Sequence, residues 1–216
     1  MAIERTRIEK HFLLLCEGRD AEGFLIAYLN SAALTFDSRF SNDIQVMDFG
    51  GNDDLKNYLL NLKNMDGYEK VKSICVVRDA EKDYSKACVE VERAFLQAGF
   101  TAPDCCGKWT RESSCPNVGY MLFPFREAHG TLEDLCLMIT KESDDVLMLA
   151  DTFLSEMETN YERVFPRRHK NKLHVLFSAN DSFVTMKLGE AASAGAFNWD
   201  SAYMSPLREF LASELL

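Results

Sequence analysis

The sequence predicts an α/β fold: a mostly parallel central sheet flanked by helices, with further helices added toward the C-terminus. Three observations carry this. Short apolar runs at Leu13–Cys16, Ile74–Val77 and Val118–Phe123 have strand length, and longer patterns with apolar residues at helical spacing lie between them. Strands that alternate with helices in this way make βαβ units and a parallel sheet. From Leu132 onward the pattern is helical throughout, which places the added helices after the sheet.

The first strand is read over His11–Cys16. A helix follows from about Asp20 to Leu34, with Phe24, Leu25, Tyr28 and Leu29 on one face. Asp43–Phe49 is the second strand. Gly50-Gly51-Asn52-Asp53 is turn chemistry, and Asn52 or Asp53 is placed to cap a helix over Asp54–Asn64. Ser73–Val77 is the third strand. The next helix covers Tyr84–Ala98, with Asp83 as a candidate cap and Gly99 as its terminating glycine. Residues 101–117 read as an irregular loop or hairpin around Trp109, and Val118–Phe123 as the fourth strand. Helices are expected over Leu132–Thr140, Asp144–Tyr161, Lys170–Ser178 and Pro206–Leu215, with Thr131 and Ser143 as N-caps and Ala191–Asp200 as a loop. The expected organisation is a core over residues 1–142 and a helical extension over 143–216 packed on that core.

Composition narrows the function classes. No apolar run approaches the ~20 residues of a membrane helix, and Met1–Arg7 has no signal-peptide stretch, so a cytoplasmic protein with no membrane association is expected. Seven cysteines, an odd number, argue against a disulfide framework, and Cys16, Cys75, Cys88 and Cys136 read as small buried hydrophobes. A net charge of −10 is unfavourable for a stand-alone nucleic-acid binder, because phosphate contacts supply most non-specific affinity. There is no G-x-x-x-x-G-K-[ST], no G-x-G-x-x-G, no Cys-x-x-Cys pair and no G-x-S-x-G elbow.

The chemistry points to acids. Glu17-Gly18 closes the first strand, Arg78-Asp79-Ala80-Glu81 the third, and Glu133-Asp134 opens the helix that follows the fourth. Each group has a plain structural reading: an acid in a helix's first turn, a cap, a solvated turn. Together they are more informative, because parallel strands end on one sheet edge, where ligands bind in open α/β sheets. Carboxylates gathered there suit Mg²⁺ or Mn²⁺. Arg167, Arg168, His169, Lys170 and Lys172 form the one basic run, and Lys187 is a lone lysine in Met186-Lys187-Leu188-Gly189-Glu190. The run reads as a contact to a phosphate backbone or a partner or, at least as well, as a solvated helix start, and Lys187 could stabilise a phosphoryl transition state, though nothing in the sequence gives it priority.

Strand-Glu17-Gly18 followed by strand-Asp79-Ala80-Glu81 resembles the TOPRIM signature of topoisomerases, bacterial primases and the overcoming-lysogenization-defect nucleases, with glutamate replacing the second aspartate. Leu13–Phe24, Phe49–Leu55, Val76–Glu81, Met121–Leu135 and Lys172–Phe210 are similar to a smaller family of stand-alone TOPRIM-like bacterial and archaeal proteins of unknown function. The resemblance implies Glu17 as general acid/base or metal ligand, Asp79 and Glu81 as metal ligands, Glu133 and Asp134 as the extra acids of two-metal members, and Lys187 as a phosphate contact. It implies Mg²⁺- or Mn²⁺-dependent phosphodiester hydrolysis of DNA or RNA. Two alternatives stand beside it: a non-catalytic nucleic-acid or nucleotide module, and a subunit of an assembly with a partner ATPase, as in phage defence or DNA repair.

Overall fold

The computed structural model describes residues 7–51, 54–111, 116–126 and 129–215. Its centre is a four-stranded, all-parallel sheet in the order β2-β1-β3-β4, made of β1 (Phe12–Cys16), β2 (Ile44–Asp48), β3 (Ser73–Asp79) and β4 (Asn117–Phe123). β1 and the middles of β3 and β4 carry no charged residue and are buried, as a sheet covered on both faces requires, whereas the edge strand β2 carries Gln45 and Asp48 and is only partly buried. Nine α-helices are seen among the described residues: α1 (Arg19–Leu29), α2 (Arg39–Asn42), α3 (Leu55–Leu62), α4 (Tyr84–Gln97), α5 (Leu132–Ile139), α6 (Asp144–Tyr161), α7 (Arg168–Ser178), α8 (Leu188–Ser193) and α9 (Ser205–Leu215).

Side-chain alternation divides the core into two layers. Phe12, Leu14, Cys16, Cys75, Val77, Met121 and Phe123 face α1, α5, α7, α8 and α9. Leu13, Leu15, Ile74, Val76, Val118, Tyr120 and Leu122 face α3 and α4. The helices after residue 143 join the first layer: Leu173 and Phe177 of α7, Leu188 and Ala192 of α8, and Leu207, Phe210 and Leu211 of α9 are all buried there. In contrast, α6 buries only Ala150 and Leu154, and Met148, Leu149 and Phe153 stay exposed.

Several elements differ from the sequence expectation. The first helix stops at Leu29, where the Asn30 side chain donates to the Ile26 carbonyl (2.9 Å) and Ser31 turns extended; Ala32–Leu34 is a separate 3₁₀ turn. The third strand continues to Asp79, so Arg78 and Asp79 are strand residues and not loop. Part of the expected loop at Ala191–Asp200 is helical, since α8 runs to Ser193. Cys88 is half-buried and not a core residue. The proposed caps Asn52 and Asp53 lie outside the described residues. Asp83 does cap α4, accepting from the Lys86 amide at 2.9 Å, and Ser143 caps α6.

The irregular segment before β4 is anchored by Trp109, which stacks on Phe210 at 4.5 Å and donates its indole N–H to the Phe210 carbonyl at 3.0 Å. Gly119 makes this contact possible. A Cβ there would lie 2.7 Å from the Phe210 ring and 2.8 Å from Trp109.

Candidate functional site

In the order β2-β1-β3-β4 the chain leaves β1 toward one edge of the sheet and returns to β3 on its other side. That reversal makes a crevice beyond the carboxyl ends of β1 and β3, the position at which open α/β sheets bind ligands. Glu17 is the first residue after β1, and Asp79 is the last of β3. Cys16 pairs in register with Val77, so the two strand ends leave the sheet side by side.

Strand parity then sorts the residues. Arg78 follows Ile74 and Val76 onto the α3/α4 face, and Asp79 follows Cys75 and Val77 onto the α5 face. Arg78 is 2 % exposed; its Nε lies 3.6 Å from Glu17 Oε2, and its Nη1 donates to Glu90 at 3.2 Å. Asp79 Oδ1 accepts the Leu132 amide at 2.8 Å, which binds the end of β3 to the first turn of α5. Glu81 holds a positive φ of 56° and exchanges backbone hydrogen bonds with Gly130, at 2.9 and 2.8 Å. The β3 exit and the α5 entrance are thereby tied together, and Asp79, Glu81 and Glu133 share one end of the sheet.

The electrostatics are those of a crowded acidic cluster, partly desolvated at Glu17, Asp79 and Glu133, with Glu81 exposed at its rim. Burial raises the Asp79 carboxyl to about 7, with Glu133, Glu17 and Glu81 adding to the rise and the Leu132 amide opposing it. Burial also raises Glu17, partly offset by Arg78 and increased by Glu81. Burial would raise Glu133 too, but Lys170, whose Nζ is 2.7 Å away, brings its carboxyl below the ordinary value. Glu17 Oε2, Glu133 Oε2 and Arg78 Nε are buried atoms with no hydrogen-bond partner.

The other expected residues sit differently. Asp134 Oδ2 accepts from the Thr131 amide (2.8 Å) and hydroxyl (3.1 Å), so its carboxylate is engaged in capping its own helix. Lys187 is exposed just before α8, and its amide donates to Glu190 at 2.8 Å. It is brought near the first turns of α1 because Gly189 packs against Gly23, but no ion pair joins it to the acids among the described residues. His129 is exposed.

Two participants were missed in the sequence. Asp48, at the end of β2, accepts the amides of Gly18 (2.8 Å) and Gly50 (2.7 Å), and so shapes the turn that carries Glu17. Strand-end position was the signal that could have found it. Lys170 lay within the basic run, but its partner Glu133 is remote in sequence and no local pattern connects them.

The fit to a divalent cation rests on the donor set. Four carboxylates, Glu17, Asp79, Glu81 and Glu133, face two cations, Arg78 and Lys170, and Arg78 is shared with Glu90. The negative excess, and the buried Glu133 Oε2 with no hydrogen-bond partner, suit an added cation. Among the described residues no three His, Cys, Asp or Glu side chains are grouped so that they could hold a metal ion as they stand, so the acids would have to draw together around one.

These features define an α/β protein with a parallel sheet and a partly desolvated acidic cluster at its switch-point crevice. The chain belongs to the family of proteins of unknown function DUF3226, whose model matches residues 11–215. No curated protein and no solved structure matches it. No helix of the described residues is long and apolar enough to cross a membrane.

Proposed function

We propose that this protein is a TOPRIM-type, Mg²⁺- or Mn²⁺-dependent hydrolase of nucleic-acid phosphodiesters. Its metal-binding acids would be Glu17, Asp79, Glu81 and Glu133, with Asp134 as the cap that fixes Glu133 in place. The observation that carries the reading is Asp79: a carboxyl at the end of a central strand, raised to about 7 by burial and by three neighbouring acids. A carboxylate desolvated in this way among like charges costs stability unless a proton or a cation relieves it, and perturbed carboxyls in a crevice mark functional sites.

Bound Mg²⁺ or Mn²⁺ would supply an activated water and charge stabilisation on phosphoryl oxygens. The chain's own residues supply the rest. Glu17, raised by burial, can hold or release a proton on its carboxyl. Asp79 is aimed by the Leu132 amide, and Glu81 by its backbone pairing with Gly130. Arg78 and Lys170 keep the cluster from excessive charge when it is deprotonated.

A second reading, a nucleic-acid or nucleotide module that does no chemistry, is favoured by those same two cations, which neutralise part of the cluster. One experiment separates the readings. Mn²⁺ is titrated calorimetrically into the wild type and Asp79→Asn, and both are assayed on labelled single- and double-stranded DNA and RNA. The hydrolase reading expects binding and cleavage in the wild type, both lost in the variant. Cation binding without cleavage of any substrate would favour the module, and no cation binding would defeat the metal-dependent reading.

A further inference from the structure

A second cluster of charge lies behind the acidic one. The cleft between α3 and α4 at the carboxyl end of the sheet has a volume of about 170 Å³, several times the ~30 Å³ share of a water molecule. Its polar lining is Lys56 from the first turn of α3, Arg78 from β3, and Glu90, Arg93 and Gln97 from successive turns of α4.

The balance there is cationic, in a chain whose net charge is −10. Three cations face one carboxylate in the lining. That carboxylate, Glu90, is already occupied by Arg78 at 3.2 Å and by Lys86 at 3.7 Å. Lys56 and Arg93 are exposed and form no ion pair among the described residues. Arg78 differs from both. Its side chain is 2 % exposed, yet Nε has no hydrogen-bond partner, since Glu17 stands 3.6 Å off. That donor faces Glu17, so what Arg78 brings to the cleft is its charge, shared there with Glu90, on a planar fork that suits phosphate oxygens.

We infer that the α3/α4 cleft is a phosphate-binding subsite, in which Arg78, Arg93 and Lys56 hold one phosphate of a nucleotide or nucleic-acid strand next to the acidic crevice. Arg78 makes the connection, because the same guanidinium stands 3.6 Å from Glu17 on the crevice side and lines the cleft on the other. The subsite supplies a positive contact that the overall charge does not. It deepens the hydrolase reading by assigning a substrate contact, but phosphate affinity here requires neither a metal nor catalysis.

The test is calorimetric titration in EDTA with three probes: inorganic pyrophosphate, dTMP, and an oligothymidylate with hydroxyl ends. The variants are Lys56→Gln/Arg93→Gln, Arg78→Gln and Asp79→Asn. The double variant alters only exposed side chains, so it remains informative if Arg78→Gln fails to fold. The expected result is wild-type binding of at least one probe, weakened about tenfold or more in the double variant, with a salt slope shallower by about one for each cation removed. Binding confined to pyrophosphate and dTMP assigns a free or terminal phosphate, and binding of the oligothymidylate assigns a backbone phosphodiester. No binding of any probe by the wild type, or equal binding by the double variant, overturns the subsite. Asp79→Asn is expected to bind phosphate as the wild type does, so loss of metal binding or cleavage leaves this inference standing.

Discussion

At the residue scale, Asp79 is the side chain whose titration reports most directly on the site. Unfolded, an aspartate releases its proton near ~3.9; folded, Asp79 keeps it to about 7. Between those values the native state binds a proton that the unfolded state has lost. Native stability therefore falls as pH rises through this window, by ~2–4 kcal/mol, and the full cost persists above it. Asp79→Asn removes the charge and keeps an oxygen for the Leu132 amide. In EDTA the variant should match the wild type near pH 4.5 and melt roughly 5–10 °C higher at pH 8. Thermal melts across the range check this, and parallel curves for the two proteins would show that Asp79 titrates normally. Glu17 and Asp79 were legible in the sequence because each ends a short apolar run, and position at a strand end is a local property. The Lys170–Glu133 pair and the role of Asp48 were not legible, because they depend on which helix and which strand lie alongside.

At the element scale, the strands and long helices were readable because burial imposes a period on them. The departures come where a backbone contact overrides the pattern. Ala32 and Leu34 extend the apolar spacing of α1, but the helix closes at Asn30, whose amide and side chain both donate to the Ile26 carbonyl, and Ser31 turns extended. The small residues Gly189, Ala191 and Ala192 resemble loop composition. They are helical because α8 lies against α1 so closely that a Cβ on Gly189 would sit 3.0 Å from the Gly23 Cα. Gly189→Ala is then expected to push the two helices apart, costing about 1–3 kcal/mol and lowering the melting temperature by roughly 5 °C. A melting temperature within a degree of wild type would mean that the helices separate at no cost. The entrance to α5 supports a contrasting prediction. Asp134→Ala removes the acceptor for the Thr131 amide and should cost ~1 kcal/mol as a lost cap, with Mn²⁺ affinity changed less than about twofold. Glu133→Gln should instead weaken Mn²⁺ about tenfold or more, as loss of a ligand does. Calorimetry on the two variants distinguishes a capping acid from a metal-binding one, and equal losses in both would return Asp134 to the ligand set.

At the scale of the whole molecule, the charge of −10 and the partly buried acidic cluster act in the same direction. Acids held together in a low-dielectric crevice repel, and the surrounding negative field adds to the cost of ionising them. A cation that binds only the native state lowers that cost and stabilises the fold by mass action, by ~2.7 kcal/mol at a hundredfold excess over its dissociation constant. For a chain of this size that raises the melting temperature by roughly 5–10 °C. The effect should depend on pH, because the proton on Asp79 competes with the metal: large at pH 8, where the carboxyl is ionised, and nearly absent at pH 5.5, where it is protonated. Screening predicts a different pattern. Monovalent salt at equal ionic strength weakens repulsion among exposed acids at both pH values and reaches the partly buried cluster far less. Melting curves in Mn²⁺, in Mg²⁺ and in matched NaCl, at both pH values and for the wild type and Asp79→Asn, resolve the two. Stabilisation by Mn²⁺ at pH 8 alone, absent from the variant, is the expected outcome. Equal stabilisation by NaCl, or an unchanged Mn²⁺ effect in Asp79→Asn, would place the cation on the general acidic surface and remove the crevice from consideration as a metal centre.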